Sequence, residues 1–509
     1  MWKVKKTLLI FLICLLTSAA WSQKNEKPLS LDECIKTALR NNLGVAVEII
    51  NPEIAETRIS LAREHFLPQL SMRYFTQNTN TPAFSWIDAT DQVTTEYNNY
   101  AARFTQIFPT GTNISATLFS YQNDTNQKFQ TINPRFGSTL QFSVTQPLLK
   151  NFGFRVNRRE IIIAKNNKEM SDSQLKQVLL DTVYSVEEAY WNLVFSIEDL
   201  RVRQQSLELA RDLLRKNKKE VDVGTLAPIE ILSAEAEVAT READILQAEA
   251  AVKNNEDILK TVINLDQEAA GSLLKVVPKD TPSYTQTEIT LDEALKTAME
   301  NRPDLKSLRW DIKSRDVDFV YAKNQLLPDL SLEASYWSPG ISGTQILYKD
   351  NNPLTNVIVG TIPGGASDAL KDALKFRYQN WSAGITLTLP TNTVFTRAKY
   401  AQAKMSFEQA KLRLKNQEQQ VFLEVSNAVR AVQTDFKRIQ AYKVARELAE
   451  KKLEAEEKKL KVGLTTNYLV LQYQRDLATA RSAELRAIID YNLSLARLNK
   501  AMGVGIQER

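Results

Sequence analysis

The segment Leu31-Asp32-Glu33-Cys34-Ile35-Lys36-Thr37-Ala38 returns 260 residues later as Leu291-Asp292-Glu293-Ala294-Leu295-Lys296-Thr297-Ala298. The same ungapped offset carries Asn41 onto Asn301, Ala62 onto Ala322, and Leu67-Pro68-Gln69-Leu70-Ser71 onto Leu327-Pro328-Asp329-Leu330-Ser331. These are 12 identities over 41 aligned positions, several times what composition alone supplies. Farther on, Val223-Gly224 corresponds to Val462-Gly463, Leu232 to Leu471, Ala239-Thr240 to Ala478-Thr479 and Leu259 to Leu498. The offset has shrunk to 239, so the first copy holds 21 extra residues between its Leu-Pro and its Val-Gly. A period this long implies two large equivalent halves instead of a solenoid of small units.

Each half changes from helical to strand periodicity and back. Leu31 to Leu39 opens a helix with Asp32 and Glu33 in its first turn, and Asn51-Pro52 reads as the cap and first position of a second helix ending at Pro68. In the second half Pro303 opens the matching helix and Pro328 stops it. After each Leu-Pro the pattern alternates with period two. Trp381, Ala383, Ile385, Leu387 and Leu389 face one way, and Ser382, Gly384, Thr386 and Thr388 the other. Residues 139–145, 330–336 and 113–118 repeat the pattern, each about as long as the roughly 9 to 11 residues of a tilted bilayer-crossing strand. Strands of a soluble β-sandwich alternate as cleanly, so the strands alone leave both readings open.

Long uninterrupted helices follow. No proline or glycine occurs from Arg155 to Asp222, where Leu175, Leu179, Val183, Val186, Tyr190, Leu193, Ile197 and Leu200 step by three and four. A helix of that extent runs ~100 Å. Arg397 to Val462 matches it, with Val421, Val425, Val429, Val432, Phe436 and Ile439 on one seam. The return helix carries a seam of Ile229, Leu232, Ala236, Ala239, Ala243, Leu246 and Ala250.

With only 15 Gly and 16 Pro in 509 residues, helix should dominate. One histidine, His65, and two cysteines exclude a His/Cys metal cluster and a disulfide framework. Lys3, Lys5 and Lys6 before an apolar run at residues 8–16 and Ala20-Trp21-Ser22 form a secretory leader, with cleavage expected before Gln23. Its loss takes the net charge from +5 to +2, which gives no case for nucleic-acid binding. Cys34 is then a lone thiol, read as a small buried contact. His65 lies at a helix end, where it suits the terminal carbonyls.

The duplicated Leu-Asp-Glu-Ala-type helix start, the duplicated Leu-Pro before a strand, Val-Gly at two helix–helix turns, and Gln146-Pro147-Leu148-Leu149 or Leu389-Pro390 where strand returns to helix resemble the TolC-like outer-membrane efflux protein family. The resemblance spans about Leu29 to Gly503. It implies a mainly α fold with a membrane β part: a duplicated helix-strand-helix repeat forming a trimeric outer-membrane β-barrel continued by a long α-helical periplasmic barrel. The implied function is an exit duct of a tripartite efflux pump or type I secretion system, with no cofactor and no catalysis. Its partners would be two further copies in a homotrimer, a periplasmic adaptor, an inner-membrane transporter and outer-membrane lipid. On this reading residues 1–22 are the leader, 23–66 the first helices, 67–150 strands and surface loops, 151–270 long helices and 271–289 a linker. Residues 290–327, 328–390 and 391–505 repeat the series before a tail at 506–509.

The resemblance also marks functional residues. Val223-Gly224-Thr225 and Val462-Gly463-Leu464 are the expected adaptor-docking turns, although each glycine is equally explained as a helix C-cap. Six and nine residues beyond Gly463, where the family often narrows its tunnel with aspartates, stand Leu469 and Gln472, and the equivalents after Gly224 are Glu230 and Ser233. An acidic ring is therefore missing from the second repeat. Either Leu469, with Tyr468, makes an apolar constriction beside Gln472 and Glu230, or Leu469 packs in the helix seam. The Asn/Thr-rich residues 76–99 and residues 338–376 read as mobile extracellular loops. Residues 104–119 are a tall surface hairpin or an extra membrane pair, and twelve strands per trimer, against an alternative of eighteen, is the expected count. A non-conducting envelope spacer is the rival from another class, and a periplasmic enzyme a third.

Overall fold

The computed structural model describes residues 26–85, 88, 91–265 and 275–505. The expected leader and the 506–509 tail lie outside the described residues. In chain order the elements are β1 (Glu26–Leu29), α1 (Leu31–Asn41), α2 (Leu43–Glu64), β2 (Gln69–Pro82), β3 (Gln92–Ile107), β4 (Asn113–Thr125) and β5 (Ile132–Pro147). There follow α3 (Phe154–Asn157), α4 (Arg159–Asp222), α5 (Ile229–Ile263), β6 (Lys275–Pro278), α6 (Leu291–Asn301) and α7 (Pro303–Asn324). The chain ends with β7 (Asp329–Tyr348), β8 (Ile358–Ile362), α8 (Ala366–Leu374), β9 (Asn380–Thr388), α9 (Val394–Lys461) and α10 (Asn467–Met502). The described residues form two compact units, one drawn from within 26–53, 170–308 and 413–505 and the other from within 54–169 and 309–412.

The duplicated motif is a duplicated helix cap. Ser30 Oγ accepts from the Glu33 amide at 3.3 Å while Glu33 Oε2 accepts from the Ser30 amide at 2.8 Å. In the second half Thr290 Oγ1 accepts from the Glu293 amide at 3.4 Å. Each satisfies amides that a helix start leaves without partners. The buried faces then differ in size, Cys34, Ile35 and Ala38 on α1 against Ala294 and Ala298 on α6. Pro52 lies inside α2 and does not start it, because Asn42 Oδ1 accepts from the Val45 amide at 3.2 Å and caps the helix earlier.

In the helical unit β1 and β6 pair in parallel, and Leu29 and Val276 join Val183, Val186, Tyr190, Leu193, Leu259 and Ile489 in one core. The Tyr190 hydroxyl donates to Asp280 Oδ2 at 2.8 Å, and the Leu31 amide donates to the same oxygen at 2.7 Å. Cys34 is fully buried in this core, which pushes its thiol up to about 12, with Glu33 and Asp280 adding to the effect. A second core gathers Val421, Val425, Val429, Val432 and Ile439 of α9 around Ala298, Leu305, Tyr491 and Leu498. The α4 and α9 seams therefore lie where periodicity places them.

The α5 seam does not. All seven of Ile229, Leu232, Ala236, Ala239, Ala243, Leu246 and Ala250 are exposed. The residues buried within the chain are Ala234, Arg241, Ala248, Glu256, Leu259 and Ile263. Two of these are charged, so hydrophobic periodicity selects the wrong stripe of the helix. The stripe it selects is free in a single chain.

Beside the second core Arg302 donates to Asp304 Oδ2 at 2.6 Å, to Glu424 Oε2 at 2.6 Å and to the Ala501 carbonyl at 3.2 Å, joining α7 to α9 and α10. Burial opposes the charged form of Asp304, but the Arg302 guanidinium outweighs it and holds the carboxyl below its ordinary range. This contribution is therefore complete above the ordinary carboxylate value of 3.8 and is lost as pH falls through the lower folded value. Arg302→Ala, which strands a half-buried carboxylate, is expected to cost about 3 kcal/mol in urea denaturation followed by circular dichroism at pH 7.

Candidate functional site

The second unit holds one seven-stranded antiparallel sheet in the order β2-β3-β4-β5-β7-β8, with β9 also paired to β7. Registers decide which residues share a face. Leu70, Phe104, Ala116, Phe142, Tyr336 and Trp381 stand in one row across six strands. The neighbouring row, on the other face, is Gln69, Thr105, Ser115, Ser143, Ser335 and Ser382. One face is apolar and the other polar without a break. Met72, Ala102, Leu118 and Leu140 extend the apolar face by another row.

That face is uncovered over most of its area. Met72 is 78% exposed and Trp381 76%. Of the described elements α8 packs on part of it, its Ala369 and Ala373 fully buried and a Cβ on Gly340 falling 2.1 Å from the Ala369 carbonyl oxygen. Phe376 stacks there on Phe142 and Tyr336, at 6.3 and 5.5 Å between centroids. A soluble sandwich covers such a face with a second sheet. This sheet has none among the described residues, and its six long strands, of 9 to 20 residues, suit a bilayer.

The structure corrects the expected loops. Residues 76–99 belong largely to β2 and β3, paired from Gln69 opposite Thr105 to Pro82 opposite Gln92. Residues 338–376 contain the end of β7, β8 and α8. Residues 104–119 span the end of β3, its turn and the start of β4, and both strands lie between β2 and β5, so six long strands of the chain share the row above.

The helical turns are built for left-handed glycine. Gly224 has φ +77° and Gly463 φ +71°, and a Cβ at either would meet nothing within 4 Å. Conformation, not space, selects glycine there. Thr225 and Leu464 amides donate back to the carbonyls of Glu220 and Lys459 at 2.9 and 3.0 Å, closing both helix ends. Val223, Val462 and Leu464 project into solvent, and Thr225 Oγ1 donates to the Glu220 carbonyl. Both turns are thus closed by hydrogen bonds, with Val223, Val462 and Leu464 exposed.

Beyond the second turn Val470, Leu471 and Leu477 pack with Ala210, Leu213, Ala234 and Leu453, uniting the α4–α5 and α9–α10 hairpins. Tyr468 is exposed, and Leu469 and Gln472 are half-buried. Leu469 lies outside that apolar cluster. Glu230 stands on α5 opposite α4, its carbonyl accepting from the fully buried Asn217 amide at 3.5 Å. The residue that sequence reasoning missed is Arg241. Buried between the hairpins, it donates to the Ser206 carbonyl of α4 at 2.6 Å, the Leu471 carbonyl of α10 at 3.0 Å and Glu237 at 3.0 Å. It borders a cleft of about 320 Å³ shared with Asp199, Arg203 and Arg475.

The outer membrane efflux protein family model matches residues 34–265 and 294–504. The chain belongs to the outer membrane efflux protein family. Its fold is that of solved outer-membrane channels: OprN at TM-score 0.64 and 17% identity, covering 93% of this chain and 90% of that one. CmeC of Campylobacter jejuni follows at 0.62 and 16%, over 94% and 87%. Nodulation protein T of Rhizobium leguminosarum bv. trifolii is 21% identical, over 69% of each chain. The alkaline protease secretion protein AprF of Pseudomonas aeruginosa is 22% identical, over 71% of this chain and 69% of its own. This efflux protein is an outer-membrane exit duct with its helical part in the periplasm. Gly463→Ala should raise amide exchange at the last turn of α9 about tenfold, reflecting about 1–2 kcal/mol of left-handed strain, with the α9 centre unchanged in mass-spectrometric exchange.

Proposed function

We propose that this channel works as a homotrimer whose three sheets share one barrel, and that it passes cargo outward as a passive duct under an inner-membrane transporter reached through a periplasmic adaptor. The observation that carries this reading is the unbroken pair of apolar and polar rows across the sheet. Lipid leaves no partner for an open sheet edge, so such a sheet must close, and three copies close around a space wide enough for cargo. The free Ile229–Leu232–Leu246 stripe of α5 supports the same assembly, since Phe422, Leu423, Val444 and Leu448 of α9 are likewise exposed and offer a second copy an apolar surface to pack on. Polar strand faces would line the lumen. The likeness to the alkaline protease secretion protein AprF supports a polypeptide as one class of cargo.

The turns Val223-Gly224-Thr225 and Val462-Gly463-Leu464 are the proposed adaptor contacts. Their support is a hydrogen-bonded backbone with the apolar Val223, Val462 and Leu464 side chains exposed to solvent. Tyr468, Leu469, Gln472 and Glu230 are proposed to narrow the periplasmic mouth, with Leu469 as its apolar member. Leu469 has no place in the neighbouring core cluster, which leaves it for this role.

In planar bilayers the purified protein should give discrete conductance steps at a mass of three chains, and Leu469→Ser should raise the resting conductance several-fold. Unchanged conductance in that variant would remove Leu469 from the mouth. A soluble monomer would sink the duct. Val223→Glu with Val462→Glu should leave conductance intact and abolish recovery of the adaptor by cross-linking and mass spectrometry in the native envelope.

A further inference from the structure

We propose that the membrane barrel of this channel has eighteen strands, six from each chain, closed by pairing β2 of one copy with β9 of the next. The proposal rests on the trimeric duct reading and adds the size of its outer aperture and the register of its seams.

The added hairpin lies within the membrane band. Phe104 and Ala102 of β3, with Ala116 and Leu118 of β4, stand in the same rows as Leu70 and Met72 of β2 and Phe142 and Leu140 of β5. A hairpin projecting above the membrane would have no reason to keep that register. Its turn confirms the depth. The Phe108 amide donates to the Thr112 carbonyl at 2.8 Å, Gly111 takes φ +93°, and the Gly153 amide, just beyond β5, donates to the Thr110 carbonyl at 3.1 Å. The β3–β4 turn therefore lies at the end of the sheet where β2 begins and β5 ends, not among the β2–β3 and β4–β5 connections. β8 adds no seventh strand to the band, since it pairs only with residues 345–348 of β7, past the apolar rows.

The two outer edges match. β2 has a partner only in β3, and β9 only in β7, among the described residues. All fourteen residues of β2 are exposed, as are eight of the nine in β9. β2 leaves Pro68 and β9 runs into Leu389-Pro390, so the edges are antiparallel and can start level. Aligned level, Leu70 faces Leu387, Met72 faces Ile385 and Tyr74 faces Ala383, continuing the apolar face from one copy to the next. A slip of one residue sets Ser71 and Gln69 into the apolar rows, so only shifts of two keep the faces. Eighteen strands at a usual tilt enclose about 36 Å between backbones, against about 24 Å for twelve. The outer-membrane segment is then as wide as a porin-class barrel, and the narrow point for cargo lies elsewhere in the duct.

The test is electron cryomicroscopy of the full mature chain in lipid nanodiscs, with particle mass measured in parallel. Eighteen strands in a three-chain particle are expected. Oxidation of Ser71→Cys with Thr386→Cys should give covalent trimers on a non-reducing gel, and Met72→Cys with Thr386→Cys, on opposite faces, should not. A trimer with twelve strands and β3–β4 outside the wall would overturn the strand count alone. A mass other than three chains would overturn the trimer and the count with it.

Discussion

Everything in this molecule depends on a sheet whose two faces belong to different solvents. Along each strand successive side chains point to opposite faces, and the antiparallel ladders keep the parity of every strand in step. Leu70, Phe104, Ala116, Phe142, Tyr336 and Trp381 share the apolar face, while Gln69, Thr105, Ser115, Ser143, Ser335 and Ser382 share the polar one a residue away. A single chain cannot satisfy such a sheet, because β2 and β9 still present unpaired amides and carbonyls that lipid does not bind. The edges select further copies of the chain, and the chain's need for them explains why so much apolar surface is exposed when one copy stands alone.

The helical unit meets the same demand by different means. Its internal cores are closed by long α4 and α9 seams and by β1 against β6, with Tyr190 and Asp280 joining the start of the first repeat to the linker. Polar side chains fasten the hairpins where apolar packing alone would allow sliding. Arg241 grips two carbonyls on two helices, and Arg302 holds one carbonyl and two carboxylates on three. Such buried guanidinium contacts are demanding in geometry, which suits an assembly that must hold one register over very long helices. A duct needs this stiffness and needs no reactive group.

Legibility followed periodicity. The α4 and α9 seams and the four alternating segments could be read directly, because one residue in two or in three and four is apolar and, on the two helices, the buried face coincides with it. Three features escaped for physical reasons. On α5 the within-chain seam includes Arg241 and Glu256, so the most regular apolar stripe was the one left outside. In β2 and β3 the residues from 76 to 99 are Asn- and Thr-rich on both faces, so a strand continued past the apolar rows with no alternation to betray it. Pro52 imitated a helix start, yet Asn42 had already capped that helix.

From the chain alone came the duplication, the sequence of helix and strand, the Val-Gly turns and the family they resemble, since each is a local pattern of residue types. Only the tertiary structure decided how many strands share the apolar face, which stripe of α5 is free, and that the buried Arg241 helps to join the two helical hairpins. Those facts depend on which distant segments pair and in what register. Residue types within one segment do not carry that information, because the same alternation serves a membrane wall, a soluble sandwich or an exposed hairpin until its neighbours are placed.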